Sequence, residues 1–424
     1  MKATHPPGHA SPLSLFKNRF VQAIMVAGLF MQLGIWIRNF AVLLYVVEMT
    51  NKNATAVSLV SVAEFAPIFI FSFIGGTFAD RWRPKRTMVW CDILSAASVF
   101  TVLLTIMMGS WQAVFFTTFV SAILSQFSQP SSMKLFKHHV PEDMMQAGMS
   151  IFQTMVAVFM VLGPGVGTFI FQKYGITVSL IVTGIAFLLS ALALTFLPPD
   201  KVEENQTNSG STVGKELAAG FRYVMNSSLL KSLGACFALA GLALGLIQPM
   251  AIFLVTERLQ LPESYLSVLL MVNGAAMFVG GALSMVFGKK FKPQQMLVFG
   301  MFISSISMVI GGWSTVLWLT LISQLIGGLV LPSIQIGIST LILKNTEPDF
   351  IGRVNGILSP MFIGSMVITM AVSGILKEAL SLVPLYGIAS VLFILGVAVM
   401  IPTLRMREPE SGPTSLNNTL ASNE

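Results

Sequence analysis

The 424-residue chain is short of charge: Asp, Glu, Lys and Arg together make up 10% of it, against 54% hydrophobic residues. Soluble domains carry roughly a quarter of their residues charged. Too little polar surface is present to cover a soluble globule, and the composition places the chain in a lipid bilayer. Cysteine is nearly absent. Cys91 and Cys236 each fall inside an apolar run and read as small packing residues rather than as a disulfide or metal ligands. The four histidines, His5, His9, His138 and His139, lie in tails or loops, and no His/Cys grouping has metal-ligand spacing. Neither a metal nor any other cofactor is expected. No Gly-x-x-x-x-Gly-Lys-Ser/Thr occurs: Gly210-Ser211-Thr212-Val213-Gly214-Lys215 has the wrong spacing and continues with Glu216, so ATP has no phosphate-binding loop. Nothing here indicates an enzyme. The first 19 residues also lack an apolar core followed by a small-residue cleavage site, and no signal peptide is expected.

What the chain has instead is long apolar runs. Twelve are long enough to cross a hydrocarbon layer of about 30 Å as helices rising about 1.5 Å per residue: approximately 20–47, 56–79, 87–108, 113–133, 145–171, 177–197, 229–255, 264–287, 295–312, 315–343, 356–376 and 383–404. The expected fold is therefore all-α and integral to the membrane, with six spans on each side of a polar break. That break opens on Pro198-Pro199 and continues as a run rich in Asn, Ser, Glu and Thr to Ser211; proline stops the sixth span, and the remainder cannot bury enough surface to fold. The expected organisation is a cytoplasmic tail at 1–19, a first half at 20–197, a cytoplasmic linker at 198–228, a second half at 229–404 and a disordered cytoplasmic tail at 405–424. Within the linker, Leu217, Phe221 and Val224 share a helical face, which predicts an amphipathic helix at the membrane surface.

The two halves echo each other. Trp82-Arg83-Pro84 followed by Val89-Trp90 returns about half a chain later as Phe291-Lys292-Pro293 followed by Val298-Phe299, and Asp143 to Ile151 aligns with Asp349 to Ile357. Tandem homologous membrane halves are an arrangement that transporters use. The net charge of +7 is distributed as a topology signal rather than as a nucleic-acid surface. With the N-terminus in the cytoplasm, 20 of the 25 Lys and Arg fall in the tails, the even-numbered loops and the span start bordering them (Lys231), 4 (Lys52, Lys173, Arg258, Lys377) in the odd-numbered loops, and Arg38 inside the first span. This bias puts both termini in the cytoplasm.

Charges inside a bilayer are costly enough that each needs a reason. Arg38 lies about 12 residues before the turn near Thr50 and Glu64 about 8 residues into the second span, which sets both roughly 12–18 Å below the outer end on adjacent antiparallel helices. They read as a pair facing the central cavity, with Glu64 able to exchange a proton whenever the pair opens; the other reading is a permanent ion pair that only orients the two helices. Asp92, a few residues into the third span, reads as a partner for Arg81, Arg86 or a helix terminus, with proton carriage as its second reading. Neutral polar residues at depth, Gln32, Asn39, Gln126, Gln129, Gln153, Gln248, Asn273, Gln324 and Gln335, serve either as interhelical hydrogen-bond partners or as ligand groups. With Trp36, Phe40, Met155, Phe159 and a total of 26 Met and 32 Phe, they suit a large, adaptable, mostly apolar cavity. In the fifth span, Gly163-Pro164-Gly165-Val166-Gly167 removes a backbone donor and several side chains, which predicts a bend and a close approach by a neighbouring helix.

The turn Gly76-Thr77-Phe78-Ala79-Asp80-Arg81 with Lys85-Arg86 resembles the loop 2–3 signature of the major facilitator superfamily, departing from it at Arg83 and Pro84. Phe127-x-x-Pro130, the Asp349-to-Asn355 segment and Glu216-x-x-x-Gly220-Phe-Arg-Tyr-Val224 are similar to its macrolide-efflux and enterobactin-exporter branch, and Gly163-Pro164-x-x-Gly167 partly matches the antiporter motif of drug exporters. The resemblance covers nearly the whole chain. It implies two pseudo-symmetric six-helix halves and export of small amphipathic molecules in exchange for protons. It also implies that Gly76, Asp80, Arg81, Lys85 and Arg86 help to lock the cytoplasmic side, with Arg353 as a partner from the other half. The acidic residue that many such exporters carry after Gly34 is Ile35 here, and their fourth-helix arginine has no counterpart between Trp111 and Met133. The function expected is a proton-coupled exporter of drug-like molecules, multi-pass in a bacterial plasma membrane, working by alternating access as a monomer, with a small-molecule substrate, protons and lipid as its partners and no nucleic acid. A lysophospholipid or siderophore carrier is the alternative within the same class, and a transport-dead sensor or scaffold the alternative outside it.

Overall fold

The computed structural model describes residues 19–140, 142–197, 213–288 and 290–405, without the side chains of Arg19, 72–81, 137–139, 142–144, Val213, Lys215, Phe287 and Arg405. The two tails and the centre of the linker, on which part of the expected organisation rests, lie outside the described residues. Among those described, every regular element is helical: α1 (Arg19–Met49), α2 (Ala54–Arg81), α3 (Pro84–Met107), α4 (Val114–His139), α5 (Glu142–Thr195), α6 (Val213–Asn226), α7 (Ser228–Ile247), the short α8 (Ala251–Phe253), α9 (Tyr265–Phe287), α10 (Pro293–Trp313), α11 (Leu317–Asn345), α12 (Ile351–Leu380) and α13 (Leu382–Met400).

Ten of these segments are long and apolar enough to cross a bilayer. One of them, α5, is 54 residues long, about twice the length a crossing needs. It turns at Gly175, where φ is 73° and ψ −176°, a region open in practice only to glycine. The two spans expected at 145–171 and 177–197 are thus joined by a single left-handed residue, not by a loop. Counting α5 twice and adding α4, 26 residues long, gives the twelve spans. The seventh ends earlier than the apolar run suggested: α7 stops at Ile247, and the chain passes through α8 into a π-helical turn at Leu254–Arg258.

The echoes in sequence are echoes in structure. Pro84 opens α3 and Pro293 opens α10, the helix position where a missing N–H costs nothing. Helix pairing also repeats. In the first half α1 packs on α5, α2 on α4, and α3 on both α4 and α5; in the second, α7 packs on α12 and α13, α9 on α11, and α10 on both α11 and α13. The halves meet through α2 against α12 and α5 against α9, which are equivalent pairs under exchange of the halves.

Twelve crossings put the first and last helices at one end of the bundle, here termed proximal, with the turns near Asn51, Leu261 and Ser381 at the distal end. The buried core is not shared equally between the ends. A single distal cluster unites both halves, bringing Val47, Ala54 and Val57 together with Phe253, Leu266 and Leu382. Towards the proximal end the core divides, with one cluster confined to the second half around Leu230, Leu297 and Leu358 and another to the first half around Ile24, Leu135 and Leu194. The distal seal is tight enough that a Cβ on Gly374 of α12 would collide with the Thr55 backbone and lie 2.6 Å from the Ala54 carbonyl oxygen. Across the same seam Lys52 pairs with Glu263 at 4.0 Å, and Thr55 Oγ1 donates to Glu378 Oε1 at 3.4 Å.

Helix α6 forms where the linker's amphipathic pattern predicts a helix. Its expected apolar face divides: Val224 is buried, whereas Phe221 is 55% exposed. The packed face instead carries Gly220, set against the backbone of Arg353, and Tyr223, whose ring stacks on Phe350 at 4.5 Å and whose hydroxyl accepts from the Glu347 N–H at 3.2 Å. The helix is docked on the second half through polar and aromatic contacts as well as apolar ones.

Candidate functional site

Within the first half, α1 to α4 and the second part of α5 surround a cavity of about 110 Å³. Its wall includes Arg38 from α1, Glu64 from α2, Asp92 from α3 and Ser121, Ser125 and Ser128 from α4. Arg38 and Asp92 are each only 4% exposed. Charges so placed persist only with partners, and the partners differ from those the sequence suggests.

Arg38 and Glu64 are joined, but not directly. Nε and Nη2 of Arg38 donate to Asn39 Oδ1 at 3.1 and 2.8 Å, and Nδ2 of Asn39 donates to Glu64 Oε1 at 2.8 Å. An amide that accepts from the cation and donates to the anion relays one to the other, and Asn39 is therefore part of the charged site and not a separate cavity-lining group. Asp92 has a partner far from the basic turn in sequence. It accepts a hydrogen bond of 2.6 Å from Ser190 of α5, deep in the half, and it shares the cavity with Glu64, so Glu64 is not the sole acidic side chain at depth. Nη1 of Arg38 and Oγ of Ser121 are buried with no hydrogen-bond partner in the protein, and both residues line the cavity. Ser121, Ser125 and Ser128 escaped the sequence reading, although their spacing of four and three places them on one helical face; Ser190 carried no such signal.

The second half holds a chemically different cavity. A cavity of about 320 Å³ among α7, α10, α11, α12 and α13 is lined by Phe237, Met301, Ile334, Phe362 and Phe393, with Gln335, Asn355, Ser339 and Ser359 as its polar groups. No charged side chain lines it. Gln335 is the one substrate-cavity candidate found there. Gln32 is half-buried, and Gln153 and Gln248 are exposed. Asn273 is committed to structure, donating to the Gln324 carbonyl oxygen at 3.0 Å and so tying α9 to α11. Trp36 stacks on Phe40 at 6.1 Å and lies against Gly163, where a Cβ would overlap its indole; a Cβ on Gly167 would come within 2.8 Å of the Trp36 carbonyl oxygen. The glycine run thus provides the close helix approach that was expected, but the non-helical backbone of α5 is at Gly175, and Pro164 stays inside the helix.

The gating residues divide likewise. The side chains of Gly76, Asp80 and Arg81 lie outside the described residues. Lys85 donates to the carbonyl oxygens of Thr195, at 2.8 Å, and Leu197, capping the end of α5 where unpaired carbonyls attract a cation. This contact ties α3 to α5 within the first half. Arg86 is exposed and lines a proximal groove with Trp82, Arg83 and Trp90. The Arg353 guanidinium sits 4.9 Å over the Phe350 ring, the same ring on which Tyr223 stacks.

Comparison with known proteins fits this arrangement. The family profile described as Major Facilitator Superfamily matches residues 24–243 and 233–421. The MFS-type transporter YkuC of Bacillus subtilis (strain 168) is 24% identical over 375 residues, covering 86% of this chain and 87% of its own. Macrolide efflux protein A of Streptococcus pyogenes is 20% identical over 376 residues, 87% of this chain and 91% of its own. The multidrug efflux pump Tap of Mycolicibacterium fortuitum is 25% identical over 382 residues, 86% and 91% respectively. Among solved structures, the nucleoside transporter NupG superposes with a TM-score of 0.73 over 92% of this chain and 100% of its own, at 13% identity, a likeness of fold alone.

Proposed function

The chain belongs to the Major Facilitator Superfamily and is a multi-pass secondary transporter of small molecules, and from that premise we propose that it exports amphipathic, drug-like compounds in exchange for protons. The relatives that act on macrolides and on multiple drugs support the substrate class, and their bacterial sources support a bacterial plasma membrane. The observation that carries the reading is the division of labour between halves: ionisable groups are gathered in a small buried cavity of the first, and a larger neutral, aromatic-lined cavity occupies the second. An apolar cavity of this size suits a drug-sized ligand, and a buried carboxylate suits proton exchange. Coupling runs through Glu64, whose charge is favoured while Asn39 relays the Arg38 cation to it and disfavoured when that relay opens.

The unequal core supports alternating access. The united distal cluster and divided proximal clusters describe an inward-facing carrier if the termini are cytoplasmic, as the positive charge bias supports. Asp80 and Arg81 act with Arg353 at the cytoplasmic mouth when the carrier turns outward, a role taken from the family motif. All of these parts lie in one chain, which acts as a monomer. The test is Glu64→Gln in reconstituted vesicles. It abolishes pH-gradient-driven transport and leaves substrate binding, or counterflow without a gradient, intact. Unchanged gradient-driven transport would remove Glu64 from the mechanism.

A further inference from the structure

The cavity between α1 and α5 has a charge balance that the coupling role of Glu64 does not use. Its ionisable lining comes from three helices: Arg38 from α1, Glu64 from α2, and Asp92 with the Cys91 thiol from α3. The facing parts of α4 and α5 contribute Ser121, Phe187 and neighbouring serines, and Ser190 behind them holds Asp92. With both carboxylates ionised the site carries one net negative charge, buried at membrane depth, where an unbalanced charge is costly. One added proton neutralises it, and a second would create an excess of the opposite sign. We propose that the cavity is a one-proton site, in which Glu64 and Asp92 hold a single exchangeable proton in common and Arg38 sets the number at one. This rests on the proton-coupling reading of Glu64 and extends it to Asp92.

The geometry provides the means of sharing. Asn39 holds Glu64 from one side and Ser190 holds Asp92 from the other, and both carboxylates line the same cavity. The unpartnered Nη1 of Arg38 and Oγ of Ser121 belong to that wall, and about 110 Å³ exceeds the roughly 10–15 Å³ a water molecule needs in a polar cavity. Water bonded to these groups connects the two carboxylates, and a proton moves between them by exchange along its hydrogen bonds, with no change in the total.

Charge balance makes a prediction that a lone proton carrier does not. Neutralising either carboxylate leaves one anion against one guanidinium, so each single substitution removes the proton entirely, and removing the guanidinium as well restores it on the surviving carboxylate. The experiment is infrared difference spectroscopy of the full-length protein reconstituted in lipid at neutral pH, reading the C=O stretch of a buried carboxylic acid. The band is expected in the wild type, absent from Glu64→Gln and from Asp92→Asn, and present again in the double variant Arg38→Gln/Glu64→Gln, a gain that a misfolded protein does not produce. A band retained in Asp92→Asn, missing from the wild type, or not regained in the double variant overturns the shared site. The transport assay is separate: loss of gradient-driven transport in Glu64→Gln with the band retained in Asp92→Asn would leave the coupling reading standing and sink the shared proton, and the reverse pattern would do the opposite.

Discussion

Asn39 is the residue on which the charged site turns, because its one amide both accepts from Arg38 and donates to Glu64. Asn39→Leu keeps the volume and removes both functions, leaving a buried cation and a buried anion each short of a partner. We expect a loss of about 1–3 kcal/mol, read as a lowered thermal midpoint in detergent, together with loss of gradient-driven transport. Since Lys85 caps the carbonyls of Thr195 and Leu197, Lys85→Met should cost about 1 kcal/mol, read as a lowered thermal midpoint. Turnover that collapses while the thermal midpoint holds would return Lys85 to the gate.

At the scale of the helix, α5 carries two special places with separate tasks. Gly163 and Gly167 allow α1 to lie against α5, whereas Gly175 turns the chain from one crossing into the next. Gly167→Val forces a branched side chain onto the Trp36 carbonyl, and overpacking of this kind costs about 1–3 kcal/mol; thermal melting should show it. Gly175→Ala places a side chain at a backbone conformation that costs about 1–3 kcal/mol for any residue but glycine. Pro164→Ala, inside an unbroken helix, should be milder than either. If Pro164→Ala proves the most damaging of the three, the turn of α5 depends on the proline after all.

For the whole molecule, transport requires the distal seal to part. Lys52 and Glu263 face each other across it, so cysteines at both positions, joined by a short bifunctional thiol reagent, should stop transport, and a reducible linker should restore it on reduction. The native thiols Cys91 and Cys236 are buried but line cavities, so the cysteine pair is placed in a background with both replaced by Ala. Full transport by the cross-linked protein would exclude alternating access through this seam. Orientation is checked independently: in intact cells an impermeant thiol reagent should label a cysteine at Asn51 and not one at Gly210. The reverse pattern would invert the topology.

The sequence by itself determined the membrane class, the number of crossings, the duplication and the depth of Arg38 and Glu64, because length, hydropathy and local repeats are properties of consecutive residues. It also marked the glycine run of α5 as a place of close approach. What it left open were the partners. Asp92 and Ser190 are far apart in the chain and meet only because α3 packs on α5; Lys85 reaches the end of α5 for the same reason. The relay through Asn39 depends on which way adjacent side chains turn from α1, a matter of helix rotation that periodicity alone does not specify. The serines of α4 carried a readable spacing, but only the surrounding helices made their face the wall of a charged cavity. The sequence named the charges, and the packing of five helices decided that three of them share one cavity.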